Sequence, residues 1–329
     1  MRKSWYLAAA LGVVYVAWGS TFLAIKVGLE SIPPYTLMGV RFLLAGSLLY
    51  ALARSRGEVP YDPRSWRDAA VLAFLLLVCG AGAVAWAEQW VPSGLAALLG
   101  ASSPLWVQSL DGRRQPSGRV LLGLLVGFAG VALLVGSSVT GADRVALPAM
   151  AVLLLSALAW AGGILLSSRT LAKGSELLRS GSQMLLAGLM LCALAGLSGE
   201  QMELARISSR SLLALLYLTV VGSLLGFSAF SWLARNASPA VASTHSYVNP
   251  VIAMALGTTL GGESLALSAV LAALLALAGV ALILGAPPGG GASTPFLPRS
   301  PFRPRRPRWL RTWARRGPAG ATGRFSALG

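Results

Sequence analysis

Arg41-Phe42-Leu43-Leu44-Ala45-Gly46 is written a second time in this chain, as Gln183-Met184-Leu185-Leu186-Ala187-Gly188, at an offset of 142 residues. Ala17-Trp18 returns as Ala159-Trp160 at the same offset. Gly130-Val131-Ala132-Leu133-Leu134-Val135-Gly136 returns as Gly279-Val280-Ala281-Leu282-Ile283-Leu284-Gly285 at an offset of 149, and Pro104 pairs with Pro250 at 146. Each match is short and falls in Ala/Leu/Gly-rich sequence. Their shared order and slowly drifting offset read as one internal duplication.

The duplicated unit is apolar. The chain is 55% hydrophobic and only 12% charged, with a mean hydropathy of +0.69, too little charge to cover the surface of a soluble protein of this length. The apolar residues come in blocks of roughly 18 or more, long enough to cross a hydrocarbon core as helices. Ten blocks are drawn, near 5–27, 33–53, 69–88, 93–110, 118–137, 147–167, 178–197, 211–233, 239–260 and 266–286. Met1-Arg2-Lys3 before the first block resembles a secretory signal, but nine further spans favour an uncleaved first helix. Cys79 and Cys192 both fall inside predicted spans, so no disulfide framework or metal-ligand spacing is expected.

The net charge of +16 is distributed by side. With the N-terminus inside, 22 of the 27 Lys and Arg fall on the cytoplasmic side, nine of them in the tail. Arg144, Arg206 and Arg210 fall outside, and Lys26 and Arg41 lie within spans. The positive-inside rule therefore puts both termini in the cytoplasm. A five-helix copy that begins inside ends outside, so the second copy runs inverted, which is a construction plan of secondary transporters. Ala87-Glu88-Gln89 aligns with Ala234-Arg235-Asn236, acidic on the outer side and basic on the inner. The expected fold is an all-α membrane protein of ten transmembrane helices. Residues 5–137 and 147–286 form two inverted repeats, followed by a disordered basic tail over 287–329.

Ala17-Trp18-Gly19-Ser20-Thr21-Phe22 and Trp160-Ala161-Gly162 resemble first-helix motifs of the EamA-type members of the drug/metabolite transporter superfamily. Gly222-Ser223-Leu224-Leu225-Gly226-Phe227, Tyr247-Val248-Asn249-Pro250 and Gly261-Gly262-Glu263 resemble its later helices. Glu88-Gln89 with Val91-Pro92-Ser93-Gly94 is similar to a YedA-like branch of that family. The resemblance covers about residues 5–286. It implies a ten-helix carrier of metabolites or toxic compounds, often outward, in a bacterial-type inner membrane. Two departures stand out: Asp111-Gly112-Arg113-Arg114-Gln115-Pro116 lacks the glutamate expected after the fourth span, and His245 stands where an aromatic residue is expected.

Arg41 is the most informative residue. It lies about eight residues inside its span, where an unpaired charge costs ~2.5–3.5 kcal/mol or more. Either it faces a cavity and holds an anionic or zwitterionic substrate or pairs with Glu88, or it snorkels to the outer interface. Gln183 keeps a polar group at the equivalent depth. Trp18 and Trp160 are symmetry mates away from the interfaces, suited to stacking on substrate or to packing. Ser20 and Thr21 are candidate substrate contacts, and Gly19 beside them would allow a local irregularity; hydroxyls satisfied by backbone carbonyls are the simpler account. Pro104 and Pro250 interrupt helices at matching places and are expected kinks or hinges, with Tyr247 and Asn249 as the polar contacts beside the second. Glu88, Glu263 and His245 are candidates for ion coupling, set against a solvated rim for the acids and a hydrogen-bonded helix residue for the imidazole.

Gly123, Gly127 and Gly130 correspond to Ala272, Ala276 and Gly279, a small-residue stripe suited to scaffold packing or to a homodimer. In the tail, Arg308-Trp309-Leu310-Arg311 mixes aromatic anchors with cations, which suits anionic lipid as well as solvated disorder. No cofactor, metal or nucleic acid is expected. An intramembrane enzyme acting on a lipid-like substrate and a channel are the rivals. A single histidine excludes an H-E-x-x-H site, and no G-x-S-x-G or P-loop is present.

Overall fold

The computed structural model describes residues 2–110, 118–139, 146–167, 175–236, 245–263 and 267–284. The departing Asp111–Pro116 segment and the basic tail lie outside them. Every regular element among the described residues is helical. In chain order they are α1 (Arg2–Gly28), α2 (Pro34–Ser55), α3 (Pro63–Ala87), α4 (Ser93–Gly100), α5 (Ser103–Leu110) and α6 (Gly118–Val139). A second series follows: α7 (Ala146–Ser167), α8 (Glu176–Leu197), α9 (Ser209–Asn236), α10 (His245–Thr259) and α11 (Leu267–Leu284). A short 3-10 turn, Leu204–Arg206, precedes α9.

Six helices are long and apolar enough to cross a membrane, and shorter apolar helices occupy the four other expected segments. Leucines on outward faces are left uncovered, among them Leu44, Leu48 and Leu52 on α2 and Leu212, Leu213 and Leu216 on α9. Lipid covers such a surface; water would not. The fourth expected span is two helices, because the chain turns at Ala101-Ser102 and Pro104 enters the first turn of α5, where its missing N–H costs nothing. Pro250, by contrast, sits inside α10.

Pairing follows the repeat. α2 packs most extensively on α8, and α6 on α11, so in both cases a segment meets its own sequence mate. α1 lies against α9 and α10, while α7 lies against α3, α4 and α5. Each copy thus lends its first helix to the later helices of the other. Glycine makes the α2–α8 seam possible. A Cβ on Gly46 would sit 2.5 Å from the backbone nitrogen of Leu185, and one on its mate Gly188 would sit 2.7 Å from that of Leu43. Gly39 and Gly181, again 142 apart, meet the facing helix two turns earlier, at Cys192 and at the backbone of Tyr50. On the other seam Gly130 meets the backbone of Ala272 and Ala276, and Gly279 meets that of Gly127. The small-residue stripe is therefore consumed inside the chain.

Two features were not expected from the letters. Ala73–Gly82 in α3 and Leu218–Leu225 in α9 are wound as π-helix, at corresponding places in the two copies. Such windings are rare and concentrate at functional sites. The second feature is a repeated staple. Gly57, Gly199 and Gly262 all have positive φ, at 81°, 72° and 66°, the left-handed conformation that ends a helix. Each is followed by a glutamate that caps another helix. Glu58 accepts the Ser175 N–H at 2.9 Å before α8. Glu200 accepts the N–H groups of Tyr35 and Thr36 at 2.9 and 2.8 Å, and the Thr36 hydroxyl at 2.8 Å, at the start of α2. Glu263 accepts those of Ser93 and Gly94 at 2.7 and 3.2 Å at the start of α4. A carboxylate at a helix N-terminus satisfies orphan donors and the macrodipole together.

Candidate functional site

Between the copies lies a cavity of about 190 Å³. α1 contributes Trp18, Thr21, Phe22 and Ile25; α2 contributes Arg41 and Phe42; the π-wound part of α3 and the turn after it contribute Leu77, Gly80, Ala81 and Val84. The α4–α5 break adds Ala97, Gly100, Ala101 and Ser103, and the second copy adds Ser156, Ala157, Trp160, Phe227, His245, Asn249 and Pro250. The lining is mostly apolar and aromatic with few polar groups, the composition of small-molecule sites.

Arg41 is the one cation among the described lining residues. It is only 5% exposed, which removes the snorkelling alternative. Its Nε–H donates to Ser223 Oγ at 2.9 Å, its Nη1 reaches Met38 Sδ at 3.7 Å, and the guanidinium lies 5.0 Å from the Phe42 ring centroid. Among the described residues no carboxylate pairs with it. Gly222 makes the room, since a Cβ there would stand 2.8 Å from both Arg41 Nη2 and Thr21 Cγ2. The expected mate, Gln183, is half-buried on α8 and does not join the lining. Asn249 does, and its amide oxygen is buried without a hydrogen-bond partner among the described residues. A buried polar group left in that state costs ~1–3 kcal/mol.

Trp18 and Trp160 both line the cavity, each against the π-wound glycine of the other copy. Trp18 Nε1–H donates to the Gly222 carbonyl at 3.2 Å. The Trp160 ring lies 3.0 Å from where a Cβ on Gly80 would be. Around Trp18 lies an aromatic cluster: ring centroids stand 5.4 Å away for Phe227, 5.0 Å for Phe230 and 5.1 Å for His245. Phe227 also lines a second, polar cavity of about 270 Å³ with Arg56, Glu58, Ser175 and Glu176, so it separates the two.

α1 runs unbroken through Gly19-Ser20-Thr21. Gly19 is an approach point for α10, where a Cβ would stand 2.8 Å from that of Ile252. The Ser20 hydroxyl bonds the Val16 and Ala17 carbonyls and lies 2.7 Å from the Tyr217 hydroxyl; Thr21 donates to the Trp18 carbonyl at 2.6 Å. Ser20 stands outside the lining, and Tyr217 came with no sequence signal. The backbone of Tyr247 lies in α10; its side chain is outside the described set.

The reading of Glu88 as a solvated rim residue is corrected. Glu88 is 0% exposed, because α1 and the α10–α11 turn pack over the end of α3. It lies four residues beyond the cavity-lining Val84, and it does not pair with Arg41. Glu263 is half-buried and occupied with its cap.

Comparison with known proteins adds the family. The EamA-like transporter family matches twice, over residues 3–136 and 147–285. The uncharacterized inner membrane transporter YedA of Escherichia coli strain K12 is 39% identical over 264 residues, covering 79% of this chain and 84% of that one. A probable amino-acid metabolite efflux pump of Salmonella typhimurium strain LT2 is 27% identical over 290 residues, covering 85% and 94%. A chain of a solved crystal structure shares the fold with a TM-score of 0.59 and 18% identity, covering 84% of this chain and 95% of that one.

Proposed function

The chain belongs to the EamA-like transporter family and is a multi-pass inner-membrane transporter, and from that premise we propose that it exports a small metabolite carrying an anionic group by alternating access between two inverted copies. The observation that carries the substrate class is Arg41. A buried guanidinium with no carboxylate partner among the described residues, in a cavity lined by Trp18, Phe22, Phe42 and Trp160, suits an anionic group on an apolar body. Asn249 offers the second polar contact. The cavity of about 190 Å³ is smaller than the ~300–1,000 Å³ that drug-sized ligands take, which favours a metabolite.

Alternating access is supported by the exchange of first helices between copies and by side-chain clusters beyond the cavity in both directions along the helices. Trp18 and Phe227 stand at the end nearer Glu58, and Lys26, Glu88 and Ser93 at the other. Ten spans, with both termini inside, fit the arginine count. Counterflow in proteoliposomes tests this reading with small aromatic and aliphatic compounds matched in size and differing only in charge. Anions are expected to exchange faster than their neutral or cationic counterparts, and Arg41→Ala to abolish that preference. Preference for cations, or a preference unchanged in Arg41→Ala, would refute the assignment.

A further inference from the structure

About one helical turn beyond the cavity lining, four elements meet, and the side chains they bring together are not part of that lining. Lys26 lies four residues past the lining Phe22 on α1, Glu88 four past Val84 on α3, and Ser93 four before Ala97 on α4. The α10–α11 turn brings Glu263. Lys26 Nζ donates to the backbone carbonyls of Glu88 at 2.5 Å and Val91 at 3.3 Å, which ties α1 to the end of α3 without an ion pair. Glu263 holds the start of α4 through the Ser93 and Gly94 N–H groups. Ser93 Oγ and the Glu263 carboxylate both rest against Gly257 of α10. Enclosed by these contacts, Glu88 is fully buried, and neither of its carboxyl oxygens has a hydrogen-bond partner among the described residues.

With neither carboxyl oxygen hydrogen-bonded among the described residues, an ionised Glu88 costs several kcal/mol. Lys26, held by backbone carbonyls, offsets that only in part, which favours the neutral acid while these elements stay packed. Of the ionisable groups on elements packed about it, Lys26 on α1 is bonded to the Glu88 carbonyl and Glu263 in the turn to the Ser93 and Gly94 N–H groups. α7 carries no ionisable residue, and Arg41 on α2 is engaged with Ser223.

We propose that Glu88 is a proton-binding site that latches the outer end of the cavity. Deprotonation breaks the carboxyl O–H bond, leaves the electron pair on oxygen and delivers the proton to water at the face the charge count assigns to the outside. The carboxylate then needs hydration, and α1, α3, α4 and the α10–α11 turn separate to admit it. Opening and proton release favour each other by linkage. Proton binding itself does not depend on the substrate reading; its use as a coupling ion does.

The test needs no substrate. Infrared pH titration of the full chain in liposomes is expected to show a titrating protonated-carboxyl stretch that Glu88→Gln removes and Glu263→Gln retains. Lys26→Gln, which removes the cation bonded to the Glu88 carbonyl, is expected to shift its midpoint. In a Cys79→Ala, Cys192→Ala background, Ser93→Cys reports opening through a membrane-impermeant maleimide. Adding Glu88→Gln, a permanently neutral mimic, is expected to slow labelling several-fold at each pH where wild-type Glu88 is ionised. A carboxyl band unaltered by both Glu88→Gln and Lys26→Gln overturns the proposal, as does labelling equal or faster with Glu88→Gln. A carrier without this latch would still pass the counterflow experiment, so the two readings fail separately.

Discussion

Glu58 and Glu200 stand 142 residues apart and do the same work. Each follows a left-handed glycine that stops its own helix, and each reaches into the other copy to cap the mate of that helix. Glu263 is built the same way, after Gly262, but the corresponding stretch of the first copy reads Asp111-Gly112-Arg113-Arg114-Gln115-Pro116 and offers no glutamate. The contrast separates two kinds of residue. The staples Glu58 and Glu200, the glycine seam of α2 and α8 and the π-windings recur in both copies, as do the cavity-lining Trp18 and Trp160. Arg41 against Gln183 and Glu88 against Arg235 occur once, and the Glu263 cap has no acidic mate in the first copy.

The largest expected effect attacks the symmetric part. Gly46→Val and Gly188→Val each push a side chain into backbone of the facing helix, which cannot move cheaply. Each should destabilise by about 3 kcal/mol or more, the upper end for overpacking, read as loss of folded monodisperse protein in detergent. If one is tolerated and the other lethal, the seam is not a symmetric device. The asymmetric part comes next. Arg41→Ala removes a charge-assisted contact of ~1.5–3 kcal/mol, so exchange of an anionic substrate should fall roughly 10–100-fold. Gln183→Ala, outside the lining, should stay within about twofold of wild type, a margin of ~0.4 kcal/mol. Equal losses in the two variants would erase the distinction. Smaller still are the staples. Glu58→Gln and Glu200→Gln should each lower the apparent Tm, at ~0.5–2 kcal/mol per cap, Glu200 more because it accepts three hydrogen bonds. An unaffected Tm in either would show that its cap is not a staple.

Much of this was legible in the letters because it depends on local or periodic signals. Apolar run length marks a span, and repetition marks a copy, so the helices and the cavity-lining Trp18, Trp160 and Arg41 came from pattern. The rest depends on what lies across the bundle. An i→i+5 winding leaves no separate period to read in Ala73–Gly82 or Leu218–Leu225. The burial of Glu88 comes from Lys26, 62 residues away, and from the turn at Glu263. Equal depth suggested that Gln183 should match Arg41. The mates' glycines decide otherwise: Gly222 gives its space to the guanidinium, while Gly80 gives its space to the Trp160 ring. Gly19 misled for a related reason, since a helical glycine serves a break or a close approach equally well, and here Ile252 takes the space.

The smallest effect distinguishes the two staples that otherwise look alike. Glu58 has a tyrosine for company. Tyr61, between α2 and α3, has its phenol, ordinarily near 10, pushed up to about 12. Burial is the main cause; Arg179 opposes it, and Glu176 and Glu58 add to it. A phenol held neutral by the fold contributes stability that is intact below pH 10 and is lost as pH rises from about 10 to about 12. Glu58→Gln removes one of the negative charges that raise it, so that window should move down, whereas Glu200→Gln should leave it in place. Phenolate absorbance during alkaline titration, taken as the difference from Tyr61→Phe, reads the shift directly. A window that moves with Glu200→Gln, or stays put with Glu58→Gln, would mean that the charge acting on Tyr61 is not the one holding Ser175.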